Sequence, residues 1–272
     1  MSEVNAKIIC DSTNAFETRL VTIQIRVPKF LLQEINTHRV FSRSFNSARA
    51  VPAKTLRLSA NFQPDEWLSN QPGMTGGSEL TELKKIGAIV VWNSLTATVK
   101  LGHWLLELCG LHKQYTNRWL EPIVWVDGVI TSTEWDNFLN LRNHPAAQPE
   151  IQELASQIDQ LLKSSEPNYL RAGEWHLPYI DEKDIEEHPI EKLRMISLGR
   201  CARVSYGFRD IKDSQGDLKR AERLLTSDPA HVSPSEHIAL CPVVRGEDYT
   251  NFKSGNFRNW IQYRKIIEPS TY

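Results

Sequence analysis

The densest run of chemistry-bearing side chains lies between His38 and Arg49. It holds the imidazole of His38, the guanidinium groups of Arg39, Arg43 and Arg49, and the hydroxyls of Ser42, Ser44 and Ser47. A guanidinium meets a phosphate through two parallel N–H donors, and hydroxyls with backbone amides can complete an anion cradle. A solvated basic loop, with His38 and Arg39 complementing a helix C-terminus, uses the same residue types. The run alone leaves both readings open. Two more constellations follow. Asn137 and Arg142, then Gln148 and Glu150, stand in WDNFLNLRNHPAAQPEIQELA, Trp135 to Ala155. Ala202-Arg203-Val204-Ser205-Tyr206 precedes His231-Val232-Ser233-Pro234-Ser235-Glu236-His237. Ser233, Pro234 and Glu236 also have the spacing of a capping box with proline in the first turn.

The elements that must hold these residues can be read from periodicity. Thr18 to Val27 alternates apolar and polar residues and is rich in β-branched side chains, which predicts a half-buried strand. Pro28 starts a helical stretch that places Phe30, Leu31, Leu32 and Ile35 at helical spacing. Arg39 to Thr55 reads as irregular. Residues 64–78 read as a loop ending in Gly76-Gly77-Ser78, with Ser78 capping a buried helical stretch from Glu79 to Cys109. Pro122 to Ile130 reads as a strand. Thr131 and Glu134 have capping-box spacing ahead of WDNFLNLR. Gln148 to Ser164 is an amphipathic helix through Ile151, Leu154, Ile158, Leu161 and Leu162. Residues 165–190 read as a connecting segment, EKLRMISLGRCARVSYG and Ala221 to Thr226 read as helical, and residues 248–272 form an extra aromatic and basic tail. One domain over residues 1–272 is expected.

Composition narrows the function classes. The chain has 272 residues, 40% apolar and 24% charged, with a formal net charge of −1. A general nucleic-acid binder needs a strong positive balance, so nucleic acid is not expected as a partner. There is no Gly-x-Gly-x-x-Gly and no Walker A loop, so any nucleotide is held without those fingerprints. Cys10, Cys109, Cys201 and Cys241 form no close pairs, which argues against a zinc ribbon or a redox pair, and no metal is expected. No membrane span and no secretory leader are read, so reduced, mostly buried thiols in a cytoplasmic protein are the expectation. The eight tryptophans suit either a packed core or aromatic ligand sites.

At the basic run the sequence resembles the flavin-dependent thymidylate synthases, whose signature is Arg-His-Arg, seven residues, then Ser. Here Thr37-His38-Arg39 is followed, after seven intervening residues, by Ser47, and Arg49 stands where the family has a further arginine. The Trp135–Ala155 stretch is similar to the family's Asn-Phe-Leu-x-Leu-Arg and Ala-Gln-x-Glu-Ile segment. Ala202–Tyr206 and His231–His237 resemble its Ala-Arg-Val-Ser-aromatic and His-x-Thr-Pro-x-Glu-His segments. The last two come first in the common arrangement, so the motif order here is rotated, and with rotation the resemblance spans about residues 17 to 240. Departures are Thr37 for arginine, Ser44 and Phe45 for Asn-Glu, Ala50 for tyrosine, Ala146 for histidine and Glu34 for glutamine.

The resemblance implies an α/β (α+β) fold with a central, mainly antiparallel sheet flanked by helices, assembled as a homotetramer with interfacial active sites. It implies reductive methylation of dUMP to dTMP, with methylenetetrahydrofolate giving the carbon, reduced FAD the hydride, and NADPH reloading the flavin. By position, Arg49 and Arg118 would hold the nucleotide phosphate. Arg118 stands in NRWLEP, where a helix-surface charge is the lesser alternative. Arg142 would contact the pyrimidine, and Ser47, Ala48 and Glu34 would lie along the nucleotide. Ser47, Arg142 and His231 are the catalytic candidates, Ser47 as a hydrogen-bonding group. His38, Arg39, Asn137, Ser205, Ser233 and Glu236 would line the FAD. Hydroxymethylation of a pyrimidine nucleotide is an alternative reaction, motivated by Ser44 and Phe45. A non-enzymatic nucleotide or nucleic-acid binder, stacking bases on Trp260 and Tyr263 beside Arg258 and Arg264, is an alternative class.

Overall fold

A computed structural model describes residues 3–204, 213–243 and 255–268. Its first two strands, β1 (Asn5–Thr13) and β2 (Leu20–Pro28), pair antiparallel from Asn5↔Arg26 to Ser12↔Leu20, with a register shift between Ile8 and Cys10. Because side chains alternate across a strand, Val21, Ile23, Ile25 and Val27 of β2 share one face and enter the main core. A 3-10 turn over Lys29–Leu31 leads into α1 (Leu32–Thr37), as Pro28 predicts. Residues 39–55 are not irregular throughout. They contain β3 (Ser42–Phe45) and the start of α2 (Ala53–Ser59). β3 lies at a sheet edge with Arg43, Ser44 and Phe45 only half-buried, so its polar sequence carries no apolar alternation to betray it.

The long apolar stretch forms one helix, α3 (Glu82–Leu108), starting after Thr81, while Ser78 sits in a small backbone bridge where Ser69 N donates to Ser78 O at 2.8 Å. The expectation of burial fails here. Only His103 of α3 is buried, and Leu83, Val90, Leu95, Leu101, Leu105 and Leu108 are exposed. Twenty-seven residues extend about 40 Å at 1.5 Å per residue, beyond what one chain's sheet can cover. Next come α4 (Lys113–Thr116), a 3-10 segment over Asn117–Ile123, and β4 (Trp125–Ser132). Thr131 lies inside β4 and caps nothing; Ser132 Oγ instead accepts from Glu134 N at 3.0 Å before α5 (Asp136–Arg142). The amphipathic α6 (Pro149–Ser164) buries Ile151, Leu154 and Ile158 against the apolar face of β2.

The segment read as a connector is structured: it holds β5 (Asn168–Tyr169), β6 (Trp175–His176) and α7 (Glu182–Glu187). After α8 (Ile190–Arg203) and α9 (Ser214–Thr226) come β7 (Ala239–Leu240), β8 (Ile261–Gln262) and α10 (Tyr263–Ile267). The result is a five-stranded sheet, β3-β4-β2-β1-β5, antiparallel except for β1–β5, and a three-stranded sheet, β6-β7-β8. This is the mixed α/β, mainly antiparallel architecture the resemblance implies. The tail belongs to it: Phe257, Trp260, Ile261 and Tyr263 are buried, and β8 completes the smaller sheet. α8 and α9 cross with their backbones in contact, since a Cβ on Gly199 would lie 2.2 Å from Asp217 O. Arg200 and Arg203 clamp that crossing, donating to Asp217 at 3.2 and 2.6 Å.

Candidate functional site

β3 is the line along which the candidate residues meet. At its start Arg43 donates to the carbonyls of His38 and Phe41 at 3.2 and 2.9 Å and to Asn36 Oδ1 at 2.6 Å, tying the turn after α1 to the strand. That turn carries His38, 3% exposed and wedged against Phe41 and Phe138. From α5, Arg142 Nε donates to His38 Nε2 at 3.2 Å, and Asn137 approaches Nδ1 at 3.4 Å. An arginine only donates, so Nε2 is the acceptor and a neutral ring keeps its proton on Nδ1. Nδ1 then faces the side-chain amide of Asn137. Burial, then the charges of Arg142 and Arg43, hold the His38 pKa below the ordinary value, in favour of that neutral ring. Three predicted residues from two distant stretches therefore touch.

The middle of β3 reaches a buried polar relay between the two sheets. Ser44 Oγ lies 3.0 Å from His237 Nε2, and His237 Nδ1 lies 2.9 Å from Thr131 Oγ1. Thr131 meets Thr22 at 2.8 Å, Thr22 meets His176 Nε2 at 2.8 Å, and His176 Nδ1 meets Ser12 Oγ at 2.8 Å. Neutral rings satisfy every link when all the hydrogen bonds run the same way, toward Ser44 or toward Ser12. Burial pushes both histidines down to about 3, so both are neutral. The tail clasps β3 from the same side: Gln262 Nε2 donates to Ser42 Oγ at 2.9 Å and to Glu236 O at 3.0 Å.

Beyond β3, residues 47–51 make a tight turn, with Ala50 N donating to Ser47 O at 2.9 Å and Arg49 N to Ser47 Oγ at 3.3 Å. Ala48 is buried in a small cluster with Leu56, Leu120 and Ile123, which brings the turn against the Asn117–Ile123 segment. Buried Asn117 reaches under the turn and donates to Ala48 O at 2.7 Å, while exposed Arg118 ion-pairs with Glu121 at 2.7 Å. Phe45, where the family has an acid, faces Gly128 of β4, and a Cβ there would sit 2.1 Å from its ring.

The remaining candidates are placed as follows. Arg39 and Arg49 are exposed, and neither guanidinium has a partner among the described residues. Glu34 Oε2 is buried and has no hydrogen-bond partner among the described residues. Ser233–His237 form a 3-10 turn packed on β3, with no side-chain cap from Ser233; Glu236 is ion-paired with Arg264. His231 and Ser233 are exposed, and among the described residues no side-chain bond ties either of them to the cluster. Ser205 lies outside the described residues. The base-stacking reading of the tail loses its aromatic residues: Trp260 is buried with Nε1 donating to Thr18 O at 3.1 Å, Tyr263 is buried, and Arg264 is engaged by Glu236 and Glu268. Sequence reading missed His176, His103 and Asn117. For His237 the available sequence signal is its place beside Glu236.

No family model matches the sequence and no curated protein matches it. Among solved structures, the UMP/dUMP methylase PolB from Streptomyces cacaoi bound with 5-Br UMP is similar at a TM-score of 0.50 and 15% identity, covering 60% of this chain and 89% of that one. The chain is similar in fold to PolB. The same methylase with 5-Br dUMP gives 0.48 at 16% identity over 60% of this chain and 90% of that one. The flavin-dependent thymidylate synthase ThyX from Helicobacter pylori, complexed with FAD and dUMP, gives 0.36 at 19% identity over 52% and 67%. At such identities the likeness speaks to architecture, and the PolB-like fold says nothing by itself of chemistry. Among the described residues no helix is long and apolar enough to cross a membrane, and no cluster of His, Cys, Asp and Glu is grouped to hold a metal.

Proposed function

We propose that this chain is an enzyme that transfers a one-carbon unit to a pyrimidine nucleoside monophosphate, as the flavin-dependent thymidylate synthases do: dUMP is reductively methylated to dTMP, with methylenetetrahydrofolate as carbon source, reduced FAD as hydride source and NADPH as reductant. The observation that carries the reading is the convergence of His38, Asn137 and Arg142 beside the strand that leads into the Ser47–Arg49 turn. The likeness in fold to a UMP/dUMP methylase supports the substrate class. The motif order is read as a circular permutation, and the protein as cytoplasmic.

In this reading Arg49, whose guanidinium has no partner among the described residues, and Arg118, exchanging Glu121 for ligand, hold the phosphate; Ala48 and Ser47 flank it. Arg142 spends Nε on His38 and Nη2 on Thr37, which leaves Nη1 for a uracil carbonyl. There it stabilises negative charge as the ring carbon becomes nucleophilic. The buried Glu34 carboxylate oxygen, without a partner among the described residues, accepts a donor from the nucleotide. The donor set suits FAD: the exposed Arg39 cation for its phosphates, neutral His38 and Asn137 beside its ring, Ser233 and Ser205 as hydroxyls, and Glu236 Oε2, left open by the Arg264 contact to Oε1. Bound there, FAD would supply the hydride, with His231 near the flavin and the folate. The exposed apolar face of α3 supports a homotetramer with sites at the interfaces.

Purified protein that is yellow and releases FAD, and that converts dUMP to dTMP with methylenetetrahydrofolate and NADPH, supports the proposal. A colourless protein that cannot be reconstituted and leaves dUMP unchanged overturns it. The same incubation, read by product mass, tests hydroxymethylation. That second reading is favoured by the apolar Phe45 ring on Gly128 and by the engagement of Ser44 with His237, where the family has Asn-Glu.

A further inference from the structure

We propose that Asn117 is a positioning residue for the nucleotide, shaping the Ser47–Val51 turn under the control of His103 and Arg57; the proposal rests on the functional reading above. Asn117 is 1% exposed and donates through Nδ2 to Ala48 O at 2.7 Å and to Val51 O at 3.2 Å. Its Oδ1 lies 3.0 Å from Nε2 of His103, itself 1% exposed. His103 Nδ1 lies 3.1 Å from Arg57 Nη1, and Arg57 is ion-paired with Glu107.

The direction of every link follows from one end. The carbonyls of Ala48 and Val51 only accept, so Asn117 Nδ2 faces them and its Oδ1 faces His103 Nε2, which must donate, while His103 Nδ1 faces Arg57 Nη1 at 3.1 Å and Glu107 Oε2 at 3.5 Å. A neutral His103 then carries its proton on Nε2 and gives it to Asn117 Oδ1. The amide is thereby locked, with both its N–H groups turned to the carbonyls of the turn. Lys113 Nζ adds a contact to Ala50 O at 3.4 Å.

The turn's carbonyls are held inward as a result. A planar trans peptide sets N–H opposite C=O, so fixing Ala48 O against Asn117 aims the Arg49 N–H at the outer side, where Ser47 Oγ lies 3.3 Å away. The next residue, Arg118, presents its guanidinium to solvent while Asn117 is buried. One 3-10 segment therefore supplies both the support beneath the turn and a cation beside it, and an anionic group that displaces Ser47 Oγ from the Arg49 N–H and Glu121 from Arg118 meets an amide, a hydroxyl and cations already positioned.

The test uses the full chain with dUMP as the probe. Asn117→Asp keeps the volume, removes both donors and opposes oxygen to oxygen. It is expected to raise the dUMP Kd and KM by about tenfold or more, with kcat at saturation changed less than about threefold. His103→Gln can reproduce both links, oxygen toward Arg57 and N–H toward Asn117, and is expected to bind near wild type, whereas His103→Met is expected to weaken binding as Asn117→Asp does. A folded Asn117→Asp protein with wild-type dUMP affinity overturns the inference, as does equal affinity of the two His103 variants should Asn117→Asp not fold. A wild-type protein that binds no dUMP overturns the functional reading itself.

Discussion

Arg142 and His38, 104 residues apart in sequence, are joined by a hydrogen bond of 3.2 Å from Nε to Nε2. The bond sets the imidazole's tautomer, and the arginine's charge opposes its protonation alongside burial and Arg43. Removing the charge must therefore raise the His38 pKa. Arg142→Ala is expected to shift the His38 NMR titration to higher pH and to lower activity on dUMP by about 100-fold. Arg142→Lys should keep most of the electrostatic effect on His38 without the planar fork. An unmoved titration in the alanine variant would rule out the coupling.

The relay of His176 and His237 makes stability sensitive to acid. Both rings fall to about 3 in the folded chain, against an ordinary value near 6.5. Between those limits the unfolded chain binds the extra protons, so stability present above pH ~6.5 is lost as pH falls toward ~3. Each histidine contributes a slope of about 1.4 kcal/mol per pH unit, and His38 adds in the same direction. Urea denaturation from pH 7 to 4.5 should show this decline, and His176→Gln should make it shallower by about one histidine's worth. A profile flat across that range would sink the expectation.

Trp260 tests whether the tail is structural. Its ring packs with Leu20, Ala239, Cys241 and Phe257, and Nε1 donates to Thr18 O at 3.1 Å. Trp260→Ala is expected to cost about 3–5 kcal/mol in urea denaturation. A cost within experimental error would return the tail to the role of an appendage.

The fold was legible where one face of an element is apolar. β2 and α6 announced themselves through Ile23, Ile25, Ile151 and Leu154, all buried. β1 carried a bulge and polar residues at Asp11 and Ser12, and β3 was an edge strand of serines and arginine, so neither showed a clean period of two. α3 misled because apolar side chains signal a tendency to leave water without naming what covers them. At the site, residue types flagged His38, Arg142 and the 47–49 turn. The supports stayed hidden, because a buried asparagine or histidine such as Asn117 or His103 is defined by partners far away in the chain, and single-sequence spacing does not record such pairs.

At Gly199 the facing atom is a main-chain oxygen, which no rotamer change can move aside. Alanine there would force α8 from α9 and unseat Arg200 and Arg203 from their shared carboxylate. The alphabet at position 199 is thus a single letter. A glycine immediately before an arginine, with an aspartate eighteen positions later, becomes a text query by which other genomes can be searched for chains that cross two helices in this way.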